Sequence, residues 1–323
     1  MLGQVRCRRI VGIVAAGVGG LLVLAVAAVY LAPLGGDDLR SAPPRRLTFD
    51  AALNEADRNL DAEQSDRTVR RECWTKVLTH ATRTAKAVLL LHGYNACPSD
   101  FDALAERFFA AGYNVYAPRE GHHGRTDASA TAGVRAAGLV EYANESLNIA
   151  AGLGDEVGVV GVSGGGVLAT WLTEFRPDVV ERALILSPFY RPSPARAPAF
   201  ATKPLTVLYG GGILPDHVGA DGFSFRGLSQ YLRVVANLKD TPRSTRLHSI
   251  AVVTSPGDTF IDFEAAHRIP KTIADANQLT VRDYVLPAEL GLPHNIVRPL
   301  NDGGATAAEL ITLYRGLYEG TVT

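Results

Sequence analysis

The chain has 323 residues, of which 47% are hydrophobic and 20% are charged, and its formal net charge is -1. This composition is ordinary for a globular protein, and the length allows one large domain or two small ones. Nucleic-acid binding normally requires a basic face. With 32 basic and 33 acidic residues, we expect no nucleic-acid partner.

The first segment of the chain is strongly apolar. Residues 10–34 contain no charge, and this run supplies the roughly 20 apolar residues that a helix needs to cross a bilayer. Three arginines precede it, and positive flanks stay cytoplasmic. We therefore predict a cytoplasmic N-terminus at 1–9, a transmembrane signal anchor at 10–34 and an extracytoplasmic catalytic domain. The alternative is a cleaved signal peptide, whose apolar region is usually only about 7–15 residues long.

A linker and one helix should follow, over residues 35–70. Residues 35–46 are rich in glycine, proline and charge, which predicts an exposed tether. Residues 49–66 have the periodicity of an amphipathic helix.

Two cysteines lie beyond the predicted anchor. In an oxidising compartment such cysteines can pair, so we predict a disulfide between Cys73 and Cys97. The alternative is a pair of small buried apolar side chains. No spacing of cysteine and histidine indicates a metal site.

Predicted strands and helices alternate over the rest of the chain, which we assign to one α/β domain at 71–323. Apolar runs predict strands at 86–93, 113–118, 156–163, 182–188, 248–256 and 281–287. Such alternation predicts a mostly parallel sheet with helices on both faces, and a site beyond the carboxyl ends of the strands. The interval at about 189–246 has no clear strand, so we predict a cap inserted there.

The strongest chemical signal is the sequence Gly161-Val162-Ser163-Gly164-Gly165. It matches the G-x-S-x-G pattern and lies between a predicted strand and a predicted helix, which is the context that the pattern requires. A nucleophile on so sharp a turn needs small neighbours, hence the glycines. We predict that Ser163 is a nucleophile; the alternative is an inert serine in a tight turn.

A serine nucleophile needs a histidine base that is oriented by a carboxylate. Asp258 and His294 each follow a predicted strand, in the chain order Ser, Asp, His, and would reach the same rim as Ser163. Asp262 is the alternative acid, although it is better placed to open a helix. Structural or surface roles are favoured for the other candidate histidines, which are His122, His123, His248 and His267.

The reaction would also need two backbone donors for an oxyanion. The N–H of Gly164 directly follows the nucleophile at a helix start, and the N–H of Tyr94 follows the strand that ends at His92-Gly93. We predict that these two amides form the oxyanion hole.

Taken together, these motifs make the chain resemble the α/β-hydrolase superfamily, and most of all its monoacylglycerol lipase and serine aminopeptidase-like branch. The matching segments are Leu91-His92-Gly93-Tyr94, Gly121-His122-His123-Gly124, Gly161 to Gly165, Asp258 to Asp262 and Pro293-His294-Asn295-Ile296. The resemblance implies the fold, the triad and a cap before the strand that carries the acid. Two features depart from that branch. Glycine replaces the usual methionine at 164, and the bulky Tyr94-Asn95-Ala96-Cys97 loop would narrow the acyl pocket.

The predicted function is therefore that of a membrane-anchored serine hydrolase that cleaves lipid or small acyl esters through an acyl-enzyme, without a cofactor. Acyl transfer and serine peptidase activity are alternatives that use the same triad. For a peptidase, Asp216 or Asp221 in the cap could hold a substrate amino terminus. A non-catalytic binding protein on a disabled hydrolase fold is the remaining alternative.

Overall fold

A computed structural model describes residues 2–219, 223–239 and 243–322, with side chains from residue 16 onward. Within these ranges the strands are β1 (Lys76–Leu78), β2 (Thr84–Leu91), β3 (Tyr113–Ala117), β4 (Gly154–Val162), β5 (Val180–Leu186), β6 (Ser249–Thr254) and β7 (Arg282–Val285). The helices are α1 (Leu2–Leu31), α2 (Phe49–Ser65), α3 (Asp102–Ala110), α4 (Ala136–Leu153), α5 (Gly164–Phe175), α6 (Ala199–Gly210), α7 (Phe225–Val235), α8 (Phe263–Ala276) and α9 (Gly304–Glu319).

The strands form one sheet in the order β1-β3-β2-β4-β5-β6-β7. Only β1 runs antiparallel to its neighbour within the described residues; the other pairs are parallel. The predicted mostly parallel sheet is thus confirmed. At its centre Leu91 pairs with Gly161, so β2 and β4 end side by side at one rim.

Helices cover both faces of the sheet and create two hydrophobic cores. Along β2 the side chains alternate between them, as the two-residue repeat of a strand requires. Ala87, Leu89 and Leu91 pack toward the core that includes α4 and α5. Val88 and Leu90 pack toward the core that includes α3 and α9. Because both faces are buried, the strand is a continuous apolar run rather than an alternating one.

Residues 189–246, which we call the cap, connect β5 to β6 and contain α6 and α7. The α7 helix begins at a side-chain cap, where Ser224 Oγ accepts a hydrogen bond from the Gly227 N–H. Its buried side chains include Tyr231 and Val234, which belong to the same core as α4 and α5. The cap therefore packs directly over the rim where β4 ends.

The N-terminal helix α1 begins and ends earlier than the predicted 10–34 anchor. Its last turn lies against the cap, where the Tyr30 hydroxyl donates to the Phe200 carbonyl at 3.0 Å. Among the residues whose side chains the structure describes, which begin at residue 16, no helix is long and apolar enough to cross a membrane.

Residues 35–46 are mostly exposed, as expected of the predicted linker, but a few of them hold it against the domain. Leu39 is only 1% exposed, and its carbonyl accepts a hydrogen bond from Trp171 Nε1 at 2.8 Å. Arg40 Nε donates to Asn237 Oδ1, and Asn144 Nδ2 donates to the Pro43 carbonyl. Apart from a short 3-10 helix at Asp37–Arg40 the segment has no regular structure, and individual side chains and carbonyls make its contacts with the domain.

Candidate active site

Ser163 lies at the sharp turn between β4 and α5, with a φ of 56° and a ψ of -115°. A side chain is strained at positive φ, and such strain is concentrated at functional sites. A Cβ at Gly161 would lie 2.1 Å from the Gly165 carbonyl oxygen, and one at Gly165 would lie 1.9 Å from that of Leu91. Both positions therefore require glycine, as the steric interpretation of the motif predicted.

Three side chains from distant parts of the chain meet at this turn. Ser163 Oγ lies 2.7 Å from His294 Nε2, and His294 Nδ1 lies 2.7 Å from Asp258 Oδ2. Because an ionised carboxylate can only accept, Nδ1 carries the proton and Nε2 is free to accept one from the serine. The arrangement can thus deprotonate a hydroxyl.

Asp258 and Asp262 have different partners, which separates the two candidate acids. Asp258 is buried, and its second oxygen accepts a hydrogen bond from the Phe260 N–H at 2.8 Å. Asp262 caps α8 by accepting from the Ala265 N–H and pairs with Arg191. Only Asp258 of these two contacts the histidine beside Ser163.

The turn that holds Ser163 lies against the turn after β2, which contains Gly93 and Tyr94. The N–H of Gly164 is the first of α5, so it has no acceptor within its own helix. Gly93 packs so closely on the turn that an added Cβ would lie 3.1 Å from Ser163 Cβ. Tyr94 directly follows Gly93 in this turn.

A disulfide joins Cys73 to Cys97, in agreement with the prediction. Cys97 lies three residues after Tyr94 in the same turn. On the other side, Cys73 packs against Gly124, where an added Cβ would lie 2.5 Å from Cys73 Cβ. The bridge thus ties the turn after β2 to the loop after β3.

A buried cluster of histidines around Glu120 supports the same turn. His92 Nδ1 donates to the Gly93 carbonyl at 2.9 Å, and its Nε2 accepts from the Glu120 N–H at 3.0 Å. Burial, together with the neighbouring His123, lowers the pKa of His92 to about 3, so this imidazole stays neutral. Glu120 accepts from both His122 and His123. Burial raises the pKa of Glu120, but these two hydrogen bonds outweigh it and hold that pKa below its ordinary range.

Two carboxylates of the site were missed by the sequence analysis. Glu120 is one; its only signal was its place beside the His122-His123 pair. The other is Asp100, which is buried and accepts from Asn295 Nδ2 at 2.6 Å and from Arg298 Nε at 2.8 Å. Because Asn295 is the next residue after His294, Asp100 holds the loop that carries the imidazole.

A row of aromatic rings connects the cap to the imidazole of His294. The Phe223 ring lies 5.6 Å from the ring of Tyr94 and 5.4 Å from that of Phe260, which in turn stacks on His294 at 5.1 Å. These contacts form an aromatic wall that ends at His294, the side chain that lies against Ser163.

Packing between the cap and the nucleophile turn explains why glycine occupies position 164. A Cβ at Gly164 would lie 2.6 Å from the ring of Tyr231. Tyr231 therefore fills space that a methionine would need. Glycine at position 227 makes room for the side chain of Tyr94, because a Cβ at Gly227 would lie 2.2 Å from the Tyr94 hydroxyl oxygen.

The remaining candidates lie elsewhere. His267 pairs with Asp283, and the exposed His248 lies 3.9 Å from Glu181. Asp216 accepts from the Ser224 hydroxyl and from the Arg226 N–H, so it stabilises the start of α7. The other cap acid considered, at position 221, is outside the described residues.

This fold and this constellation define an α/β-hydrolase. The family model described as serine aminopeptidase, S33, matches residues 82–274, and the chain belongs to that family. The match ends before His294, so the base lies outside the matched segment.

Solved structures agree with this fold. One, from work on the metagenome-derived lipolytic enzymes LipS and LipT, is 18% identical with a TM-score of 0.58 and covers 76% of this chain and 99% of its own. Est1E from Butyrivibrio proteoclasticus with ferulic acid is 14% identical with a TM-score of 0.52, and the match covers 74% of this chain and 91% of Est1E. A soluble variant of monoglyceride lipase from Saccharomyces cerevisiae is 11% identical with a TM-score of 0.52, and the match covers 76% of this chain and 91% of the lipase. At these identities the likeness shows the fold alone. None of the curated proteins compared with the sequence matches it significantly.

Proposed function

We propose that this chain is a membrane-anchored serine hydrolase that cleaves carboxylic esters through an acyl-enzyme. One observation carries the proposal: the unbroken hydrogen-bond chain from Ser163 through His294 to Asp258. The Nε2 atom of His294 faces the serine hydroxyl and can accept its proton, while the Asp258 carboxylate holds Nδ1 on the other side of the ring. This arrangement activates a serine.

The reaction runs in two halves. As Ser163 Oγ attacks the ester carbonyl carbon, His294 Nε2 takes the hydroxyl proton and Asp258 stabilises the imidazolium. The carbonyl oxygen becomes an oxyanion, which the N–H groups of Gly164 and Tyr94 stabilise. The C–O bond then breaks, the imidazolium returns the proton to the leaving alkoxide, and the alcohol departs. Water attacks the acyl-enzyme in the same way and releases the acid.

An ester substrate fits the surroundings of Ser163 better than a peptide does. The wall beside the imidazole of His294 is aromatic, and Asp216 is already engaged by Ser224 and Arg226. A peptidase would need a carboxylate available to hold a substrate amino terminus. The structural relatives include a lipolytic enzyme and a monoglyceride lipase, which is consistent with an ester substrate. Acyl transfer would use the same residues, and product analysis with added alcohol acceptors separates it from hydrolysis.

The anchor and the extracytoplasmic location belong to the proposal as well. They are supported by the uncharged run at 10–34 with arginines before it, and by the Cys73–Cys97 disulfide, which persists in oxidising compartments. Protease added to intact cells should digest the catalytic domain. A domain that is protected until the cells are lysed would contradict the location.

Fluorophosphonate labelling and turnover of p-nitrophenyl esters by the full-length protein in detergent test the chemistry. Ser163→Ala should abolish both, whereas Ser65→Ala, which changes a serine at the end of α2, should leave both unchanged. Turnover that persists in Ser163→Ala would refute the nucleophile. An unlabelled, inactive wild-type protein would favour the non-catalytic alternative.

A further inference from the structure

Glu63 is a buried carboxylate that the proposed reaction does not use. It lies in the last turn of α2, and its two oxygens accept from the N–H and the hydroxyl of Thr75 at 2.6 and 2.9 Å. Arg119 Nε lies 3.3 Å from the same carboxylate, and the Arg119 N–H donates to the Thr75 hydroxyl at 3.0 Å. The side chains of Arg119 and Glu63 are only 7% and 8% exposed, so they form a buried ion pair.

A buried ion pair of this kind is weak evidence for a gain in stability, because the desolvation of two charges offsets much of their attraction. The segment that matches the family model begins at residue 82, so α2 lies outside it. The pair therefore joins an N-terminal helix of this chain to the hydrolase domain through charge, and the contacts of Arg119 indicate what the pair does there.

Arg119 fixes the loop after β3. Its Nη1 donates to the carbonyls of Glu120, Gly121 and His123 at 3.0–3.2 Å. These carbonyls lie in a part of the loop that has neither helix nor strand. Because the guanidinium group is rigid and planar, the contact of Glu63 with Nε also sets the position of Nη1. The conformation of the loop therefore depends on a residue of α2.

The loop after β3 in turn supports the turn after β2. The Glu120 N–H donates to His92 Nε2 at 3.0 Å, and His92 Nδ1 donates to the Gly93 carbonyl at 2.9 Å. Tyr94, whose N–H is a proposed oxyanion donor, is the next residue. A continuous series of polar contacts thus runs from α2 to the backbone beside the nucleophile.

A covalent link reaches the same turn from the same part of the chain. Cys73 lies two residues before Thr75, and its disulfide partner Cys97 lies three residues after Tyr94. The polar contacts hold the turn near Gly93, and the bridge holds it at Cys97. Residues 63–75 therefore restrain the turn after β2 near both of its ends.

We propose that Glu63 is a positioning residue for ester hydrolysis: by fixing Arg119, it holds the turn after β2 so that the Tyr94 N–H faces the oxyanion. This inference rests on the proposed esterase function and extends it to a residue that acts through others rather than on the reacting atoms. The oxyanion is absent from the ground state. A displaced donor should therefore lower kcat and leave KM unchanged.

Kinetics of three variants of the full-length protein in detergent test this role. Glu63→Leu removes both acceptor oxygens, and Glu63→Gln keeps the shape and one of them. Asp57→Asn changes an exposed carboxylate of α2 and is the matched control. Rates for p-nitrophenyl acetate are expressed per active site, titrated to completion with a fluorophosphonate, so that unfolded protein does not count.

We expect kcat to fall about tenfold in Glu63→Leu and about threefold in Glu63→Gln, because outright loss of an oxyanion donor costs about 100-fold or more and displacement costs less. KM should not change, and Asp57→Asn should behave like the wild type. Should Glu63→Leu fail to fold, Glu63→Gln decides the question alone.

An inhibitor separates positioning from a general loss of structure. Ser163 Oγ adds to the carbonyl carbon of a trifluoromethyl ketone, His294 takes the hydroxyl proton, and the carbonyl oxygen becomes an oxyanion. The inhibition constant should rise in Glu63→Leu by the factor by which kcat falls. Ala56→Gly weakens α2 at a buried position without changing Glu63, and it should alter neither quantity. Equal losses in Ala56→Gly would overturn the proposal.

Hydrogen exchange reports on the turn without activity. The amides of a peptide that covers residues 91–97 should exchange faster in Glu63→Leu than in the wild type, and at the wild-type rate in Asp57→Asn. An unchanged kcat in Glu63→Leu overturns the inference whatever the exchange rates are, and it leaves the esterase function standing. If the wild type does not hydrolyse p-nitrophenyl acetate, the proposed function fails, while the exchange rates still show whether Glu63 holds the turn.

Discussion

Removal of the Cys73–Cys97 disulfide should destabilise the catalytic domain by a predictable amount. The two cysteines are separated by 24 residues, and closing a loop of that size removes chain entropy worth about 3.5 kcal/mol from the unfolded state. Both side chains are buried, so alanine is the replacement that adds no polar group. A variant with Cys73→Ala and Cys97→Ala should therefore lose about 3.5 kcal/mol of unfolding free energy.

Urea unfolding of the full-length protein in detergent, followed by tryptophan fluorescence, measures this loss. Trp74 is adjacent to the bridge and Trp171 lies in α5, so both report on the domain. Cys7→Ala is the matched control and should have no effect. A loss below about 1 kcal/mol would refute the chain-entropy reasoning for this loop.

The same variant should lose activity before it unfolds. Cys97 ends the turn that carries the Tyr94 N–H, so loss of the bridge should let that donor move. Loss of an oxyanion donor outright costs about 100-fold or more in kcat, and a loosened donor should cost less. An unchanged kcat in the variant that has lost stability would show that the bridge has no part in positioning Tyr94.

Two further predictions concern buried groups. Asp100→Asn should lower kcat for p-nitrophenyl esters about tenfold, because a weakened pairing with Arg298 lets the His294 loop move. Asp302→Asn, which changes an exposed residue, should leave kcat unchanged. An unaffected kcat in Asp100→Asn would contradict the positioning role. His92→Gln should make stability less sensitive to acid, because the folded protein holds this imidazole neutral down to a pKa of about 3 while the unfolded chain takes up the proton below about 6.5. The stability that depends on a neutral His92 is present above pH 6.5 and falls below that pH. The unfolding free energy should therefore change between pH 7.5 and pH 5.0 by about 2 kcal/mol less in the variant than in the wild type. The same change in both proteins would refute the buried neutral state.

Much of the fold followed from local pattern. The apolar runs at 86–93 and 156–163 correspond to β2 and β4, because a strand buried on both faces has no polar alternation to obscure it. The order of Ser163, Asp258 and His294, each after a predicted strand, was enough to place all three at one rim. The structure brings them within hydrogen-bond distance of one another.

Other features had little or no local signal. Asp100 lies about 195 residues before its partner Asn295 in the chain, and nothing in its own neighbourhood indicates that contact. Residues 35–46 have the composition of a tether, yet the carbonyl of the buried Leu39 accepts a hydrogen bond from Trp171 Nε1. The glycine at 164 has no explanation in the neighbouring sequence, because the ring of Tyr231, which occupies the space a methionine would need, comes from a distant part of the chain.

Sequence alone determined the class of fold, the turn that presents Ser163 and the identity of its two partners. These depend on short-range properties: the period of apolar residues, the size of the residues beside a sharp turn, and the parallel strands that end at one edge. Only the tertiary structure decided what surrounds that chemistry, namely the Glu120 cluster, the Asp100 contact, the aromatic wall and the docking of the N-terminal segment on the cap. Those contacts join residues far apart in the chain, and their free energy comes from complementary shape and charge that no single segment contains.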